Sequence, residues 1–312
     1  MQLVRGLSNF ESDGRGASVA IGNFDGVHLG HQALLRVTRA RAAAAGARPV
    51  VLTFDPHPRE FLDPAGAPPR LMRVTEKSLA LGAEGVESLI VMRFDERLRV
   101  LAPAEFIERV LREGLGARHV IVGEGFRFGC RREGTVATLA AAGPAAGFEV
   151  VTVPPVELDG ERVSSTRIRA ALRDGDLATA GRLLGHLYTL CGRVVAGARL
   201  GQTLGFATAN IRLHRARLPL GGIFAVKVRG AGPLDPYDGV ASLGTRPTVD
   251  GVEPLLEVHL FDFAGDLYGR RLSVDFVAKL RDEERFASLE ALTEQMHRDA
   301  ARAREILGAR AA

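Results

Sequence analysis

Two hydrophobic patterns share this chain and change over near residue 185. Before it, short and nearly continuous apolar runs at 19–22, 49–54, 88–94, 119–123 and Glu149–Val153 alternate with helical stretches at 31–45, 77–84 and 103–113. Strands that are apolar on both faces belong in a parallel sheet covered by helices on both sides. The first half therefore predicts a Rossmann-like α/β domain, without the GxGxxG turn of dinucleotide binders. One helix is expected to start after VSST at 163–166 and to run to Gly185. From Tyr188 the runs become TLCGRVVAG, GGIFAVKVRG, YDGVASLG, LLEVHLFDF and RRLSVDFVAKL, separated by glycine turns. That pattern predicts a small closed antiparallel β-barrel. A terminal helix follows, with Ser288 as N-cap, Glu290 in its first turn and apolar positions at Leu289, Leu292, Met296, Ala300 and Leu307. The expected domains are 1–186 and 187–312.

Composition narrows the classes. A length of 312 residues, 46% hydrophobic and 25% charged, suits a soluble chain of two domains. The net charge of +4 comes without a basic run and fits small anionic substrates as well as nucleic acid. Small-molecule substrates are expected, with no nucleic-acid and no membrane partner. Cys130 and Cys191 lie far apart and read as free thiols of a reducing compartment. With no leader-like segment and no membrane-length apolar run, a cytoplasmic location is expected. The oligomeric state stays open.

The most specific segment is VAIGNFDGVHLGHQALL at 19–35. A strand ends in Gly22, a short loop through Asn23 and Phe24 follows, and His28 and His31 open a helical pattern. The N–H groups of a helix's first turn are unpaired and carry partial positive charge, so this layout suits a phosphate chain. Residues three apart share a helical face, and both imidazoles can stabilise charge on a reacting phosphorus. Taken alone, the pair also fits half a metal site or surface histidines.

Other segments point the same way. SSTRIR at 164–169 places hydroxyls, among them Ser165 and Thr166, at a helix start. Arg167 and Arg169 follow, where the helix dipole disfavours cations unless an anion is bound. Phe54, Asp55 and Pro56 follow a strand, and Phe54 can stack on a planar ring, though a rigid loop would read the same way. Arg127 and Phe128 lie among glycines, suiting an anionic ring-bearing ligand or else a core aromatic beside a surface arginine. Arg162 adds a possible phosphate contact. In the second half, Gly201 and Gly205 belong to a loop leading to Thr208 and Asn210, whose oxygens are hard donors suited to Mg²⁺. An ordinary turn fits those residues too. Glu257 lies on the opposite strand face from Leu256 and Val258, as a proton acceptor or as a solvated carboxylate.

The first segment resembles the GxFDGxHxGH signature of HxGH nucleotidyltransferases. With TFDPHP, FRFG and SSTRIR, the first half is similar to the FMN adenylyltransferase part of bacterial bifunctional riboflavin kinase/FAD synthetases. GQTLGFATAN, GVASLGTRPT and the region from LEVHLFDF to the terminal helix resemble the riboflavin kinase part. The resemblance implies two reactions: ATP-dependent phosphorylation of riboflavin to FMN, then adenylylation of FMN to FAD with release of pyrophosphate. It implies His28 and His31 as catalytic residues, and Gly22, Asn23, Phe24, Ser165, Thr166, Arg169, Gly201 and Gly205 as ATP or phosphate ligands. Phe54, Asp55, Pro56, Arg127, Phe128 and Arg162 would hold the flavin. Thr208 and Asn210 would hold Mg²⁺, with Glu257 as base for the ribityl hydroxyl. Gly125, Gln202 and Ala207 depart from the family's usual Asp or Asn, Arg and Pro, and Ser242 stands in place of Asn. The last two loop departures leave an alternative, an adenylyltransferase with a degenerate, non-catalytic kinase-like domain.

Overall fold

The computed structural model describes residues 1–11, 13–197, 205–248 and 251–309. It falls into two compact units, Met1–Pro68 with Met72–Ser164, and Pro69–Leu71 with Ser165–Ala312.

The first unit is built on a six-stranded sheet. Its strands are β1 (Gln2–Arg5), β2 (Ala17–Ile21), β3 (Arg48–Asp55), β4 (Ser88–Arg93), β5 (Ala117–Gly123) and β6 (Glu149–Val153). Their order is β1-β4-β3-β2-β5-β6, with every pair parallel. Three long helices are α1 (Leu29–Ala45), α2 (Val74–Ala83) and α3 (Val136–Ala146). The central strands are apolar on both faces because alternate residues enter two different cores. Val19, Ile21, Val50, Leu52, Val120 and Val122 pack with Phe106, Leu111 and Leu139. Ala20, Val51, Leu89 and Val91 pack on the other side with Leu35 and Leu81. Each fully buried aliphatic side chain contributes about 1.5–3 kcal/mol.

Two differences from the expected elements have local causes. β1 has one buried residue, Val4, and so lacks an apolar run; it forms because its backbone pairs with the edge of β4. The stretch 106–114 winds as a π-helix behind a short α-turn at Pro103–Glu105.

The second unit opens with α4 (Ser165–Arg173) and α5 (Leu177–Leu184), two helices where one was expected. Gly175 at φ +77° breaks the run, and Asp176 Oδ1 accepts Thr179 N–H at 2.9 Å to start the second helix. Six antiparallel strands then close a barrel in the order β7-β8-β11-β10-β9-β12. They are β7 (Tyr188–Val195), β8 (Ala209–Arg212), β9 (Gly222–Arg229), β10 (Tyr237–Thr248), β11 (Gly251–Leu260) and β12 (Arg271–Arg281). α6 (Leu289–Ala309) covers one side, with Ala303 and Leu307 against Ala225, Phe261 and Val277. Its start is capped as expected, with Ser288 Oγ accepting Ala291 N–H at 3.2 Å. The Arg281 guanidinium grips Asp299 through Nε at 3.1 Å to each carboxylate oxygen and Nη2 at 2.8 Å, fixing α6 to β12.

Candidate active sites

In the first unit, β2 stops at Gly22, whose N–H donates to Leu52 O at 3.1 Å. A Cβ on Gly22 would stand 3.3 Å from the Phe24 ring, which is fully buried beneath the loop. Phe24 at φ +48° and Val27 at φ +40° occupy the left-handed region without being glycine. Such residues cost about 1–3 kcal/mol each and persist where their surroundings over-determine them. Three side chains do so. Asp25 is buried and its Oδ1 accepts Met72 N–H at 2.9 Å. Gln32 Nε2 donates to Val27 O at 2.9 Å. Lys77, buried on α2, donates from Nζ to Asn23 O at 2.5 Å and to Thr53 Oγ1 at 3.4 Å.

The loop delivers His28 to the N-cap of α1, where Nδ1 accepts His31 N–H at 3.4 Å. With Nδ1 on that side accepting, Nε2 is the ring nitrogen left to donate. The two imidazoles stack at 3.7 Å between centroids, 19° from parallel. Gly30 is small for a reason, since a Cβ there would lie 3.2 Å from the His28 ring. Burial first, then the charges of His28 and Lys77, push the His31 pKa well below its ordinary value. His31 is therefore uncharged at neutral pH, and its buried Nδ1 has no hydrogen-bond partner among the described residues.

The aromatic segments expected at the flavin converge on one core cluster. Half-buried Phe54 meets Phe94 edge-on at 6.2 Å. Buried Phe128 lies parallel to Phe126 at 5.7 Å and packs on Phe106. Asp55 pairs with Arg5 at 4.0 Å and precedes Pro56. Arg127 and Arg162 are exposed.

In the second unit, Ser165 and Thr166 begin α4, and Arg169 Nε donates to Pro69 O at 2.7 Å. Asn210 is buried on β8 directly opposite Glu257 on β11, and Glu257 is in turn opposite Ser242 on β10. Leu256 and Val258 are fully buried on the other face of β11. Glu257 and His259 therefore point away from them, as expected from the alternation. A Cβ on Gly197 would stand 2.2 Å from Asn210 Nδ2, so only glycine lets this amide lie where it does. Thr208 is two residues before Asn210, and Gly205 sits exposed at φ +80°. Gly201 and Gln202 fall outside the described residues. His259 Nδ1 lies 2.9 Å from Ala207 O. An open cleft of about 550 Å³ in this unit is lined by Leu220, Leu243, Thr245, Pro254 and Glu283, further along β10 and β11 from Glu257.

Comparison with known proteins bears on both halves. The family model for FAD synthetase matches residues 10–167, and that for riboflavin kinase matches residues 184–307. A bifunctional riboflavin kinase/FMN adenylyltransferase of Pseudomonas fluorescens is 50% identical over 307 residues, covering 98% of each chain. The chain belongs to the bifunctional riboflavin kinase/FMN adenylyltransferase family. The member from Escherichia coli K12 is 44% identical over 309 residues, 99% of this chain and 98% of its own. A crystal structure from Streptococcus pneumoniae, named a macrolide-efflux protein, matches with a TM-score of 0.81 at 32% identity, over 96% of this chain and 97% of that one. Among the described residues no helix is long and apolar enough to cross a membrane. Both matched domains stand in the order expected, and nothing in these likenesses supports a degenerate kinase half.

Lys77, Asp25 and His259 were not expected at the sites. Lys77 reaches a carbonyl 54 residues away and His259 one 52 residues away, and no local pattern announces such contacts.

Proposed function

We propose that this family member carries out both reactions with ATP and Mg²⁺, in functional domains 1–186 and 187–312. The observation that carries the first is the stacked His28–His31 pair at the N-terminus of α1, with His31 held uncharged by burial. A phosphate oxygen of FMN attacks the α-phosphorus of ATP, the bond to the bridging oxygen breaks, and pyrophosphate leaves. His28 Nε2–H, the His31 ring and the first-turn N–H groups of α1 donate to the charge that develops. Gly22, Asn23 and Phe24 shape the loop beside the phosphates, with Ser165, Thr166 and Arg169 as further phosphate ligands. Phe54, Asp55, Pro56, Arg127 and Arg162 form the flavin side, and Phe128 belongs to the core cluster behind that segment.

For the second reaction, the Asn210–Glu257 pairing carries the reading. Glu257 takes the proton of the riboflavin 5′-hydroxyl, its oxygen attacks the γ-phosphorus, and ADP leaves. Thr208 and Asn210 would hold Mg²⁺, with Gly201 and Gly205 in the loop before them. A hydroxyl and an amide oxygen fit an ion that keeps most of its positions for water and phosphate. Bound there, it neutralises phosphate charge. Free Cys130 and Cys191 suit a reducing cytoplasm, where ATP is at hand.

Purified chain incubated with riboflavin, ATP and Mg²⁺ should form FMN and then FAD on chromatography, with ADP and pyrophosphate released. FAD made from FMN but never from riboflavin would overturn the kinase assignment. FMN formed without FAD would overturn the other.

A further inference from the structure

The four-residue strand β8 starts its ladder at Ala209, so Thr208 sits just outside the paired backbone. The two residues before it are gripped by side chains. Phe206 is buried, its ring 5.0 Å from His259 and 4.8 Å from His297, tilted at 60° and 70°. Edge-on contacts of this kind fix ring direction as well as position. The carbonyl of Ala207 accepts from His259 Nδ1 at 2.9 Å, and since a carbonyl only accepts, that nitrogen carries the proton. His259 comes from β11 and His297 from α6, so two separate elements converge on one dipeptide.

We propose that His259 is a positioning residue for riboflavin phosphorylation: with His297 it clamps Phe206-Ala207 and so sets the backbone from which Thr208 and Asn210 present their oxygens to the magnesium nucleotide. The inference rests on the assignment of Thr208, Asn210 and Glu257 made above. His259 is two residues from Glu257 on the same strand face, so one strand carries the proton acceptor and fixes the metal-binding loop. That coupling keeps acceptor and nucleotide in register. It also accounts for Ala207. The family's usual proline would fix φ at this point, whereas here the carbonyl is tied down from outside. A carbonyl is present whatever the side chain, so the clamp does not depend on the residue at 207.

The test uses the full chain with His259→Ala, His259→Asn and His259→Phe. Riboflavin phosphorylation is measured against magnesium-ATP and against riboflavin, with FMN adenylylation in the same samples as a control on the first unit. The alanine variant should need about 10–100-fold more magnesium-ATP for half-maximal rate, the usual scale for losing a group that orients a metal ligand. Its riboflavin KM and its adenylylation should stay at wild-type values. Asparagine puts an N–H close to the place of Nδ1–H and should recover most of the loss. Phenylalanine keeps a ring against Phe206 but has no donor and should not. An unchanged magnesium-ATP requirement in the alanine variant, or no recovery with asparagine, overturns the proposal, as does a parallel loss in riboflavin KM. If the alanine variant does not fold, His297→Ala on the exposed side of the clamp is read instead, with a smaller shift of the same kind expected and no shift counting against the clamp. Thr208→Ala and Asn210→Ala separate the two levels. Normal magnesium-ATP dependence in both would sink the metal assignment itself, whereas a loss in both with silent His259 variants would sink the clamp alone.

Discussion

The two proposed sites would handle similar phosphate chemistry with opposite backbones. In the first unit the loop between β2 and α1 leaves regular structure, with Phe24 and Val27 at positive φ. It is held in place by its own buried Asp25, which accepts Met72 N–H from the segment before α2, and by buried Lys77 on α2. The groups proposed to act there are two stacked imidazoles on a helix end. In the second unit the groups lie on regular strands, with Asn210, Glu257 and Ser242 side by side across the ladder. The first site is made by conformation and the second by register. A conformation can be spoiled by one side chain, whereas a register is spoiled only by shifting a strand. Substitutions of the reacting groups should therefore act cleanly in the barrel.

The largest effect is expected there. Glu257→Gln keeps size and hydrogen bonding but removes the proton acceptor, and should lower riboflavin phosphorylation by about 10²–10⁴. FMN adenylylation should continue at its wild-type rate. Full FMN production by this variant would show that Glu257 only lines the strand. Next come His28→Ala and His31→Ala, each expected to lower adenylyl transfer by about 10²–10³ while FMN accumulates. His28→Ala also removes the N-cap of α1, so its melting temperature should drop more than that of a change on the far side of the helix. If both variants made FAD at the normal rate, the strained loop would have no catalytic purpose.

The contrast also explains what could be read in advance. The HxGH segment is legible because its parts are neighbours: Gly22, His28 and His31 lie within ten residues of one another. The parallel sheet was legible because both its faces are apolar, and the barrel because its short apolar runs are separated by glycine turns. Lys77 and His259 were not, since each acts on a backbone carbonyl far along the chain. The break between α4 and α5 was signalled by Asp-Gly-Asp at 174–176, but apolar spacing on both sides hid it. Whether Phe128 faces a ligand or the core was undecidable from spacing alone, because an aromatic beside glycines suits either. The structure places it in the core.

A smaller effect sharpens the comparison through pH. Burial, with His28 and Lys77 nearby, depresses the His31 pKa, and burial also lowers that of His119, which bonds Ser18 Oγ at 2.9 Å. As pH falls through the ordinary histidine range, near 6.5, the unfolded chain takes up protons that these folded residues resist. Stability is therefore intact above that range and is lost as pH falls through it toward the folded values. The urea midpoint of the first unit should drop between pH 7.5 and 5.5, and His31→Asn should reduce that drop. Equal drops in wild type and variant would mean that His31 is not held neutral by the fold.

The smallest effect tests whether the second site really relies on register and clamp. Ala207→Pro restores the family's usual residue and keeps the carbonyl that His259 holds. Removing freedom from the unfolded chain should stabilise the second unit by about 0.4–1 kcal/mol, read as a higher urea midpoint. In the wild-type background kinase turnover should change little, because the clamp already sets this backbone. In the His259→Ala background the same proline should recover part of the lost magnesium-ATP affinity, since it supplies from within the chain the restraint that His259 supplied from β11. A destabilised Ala207→Pro chain would show that the native backbone at 207 is one proline cannot adopt. Stabilisation without any recovery in the double variant would show that rigidity alone does not place Thr208, and that the direction of the Ala207 carbonyl does.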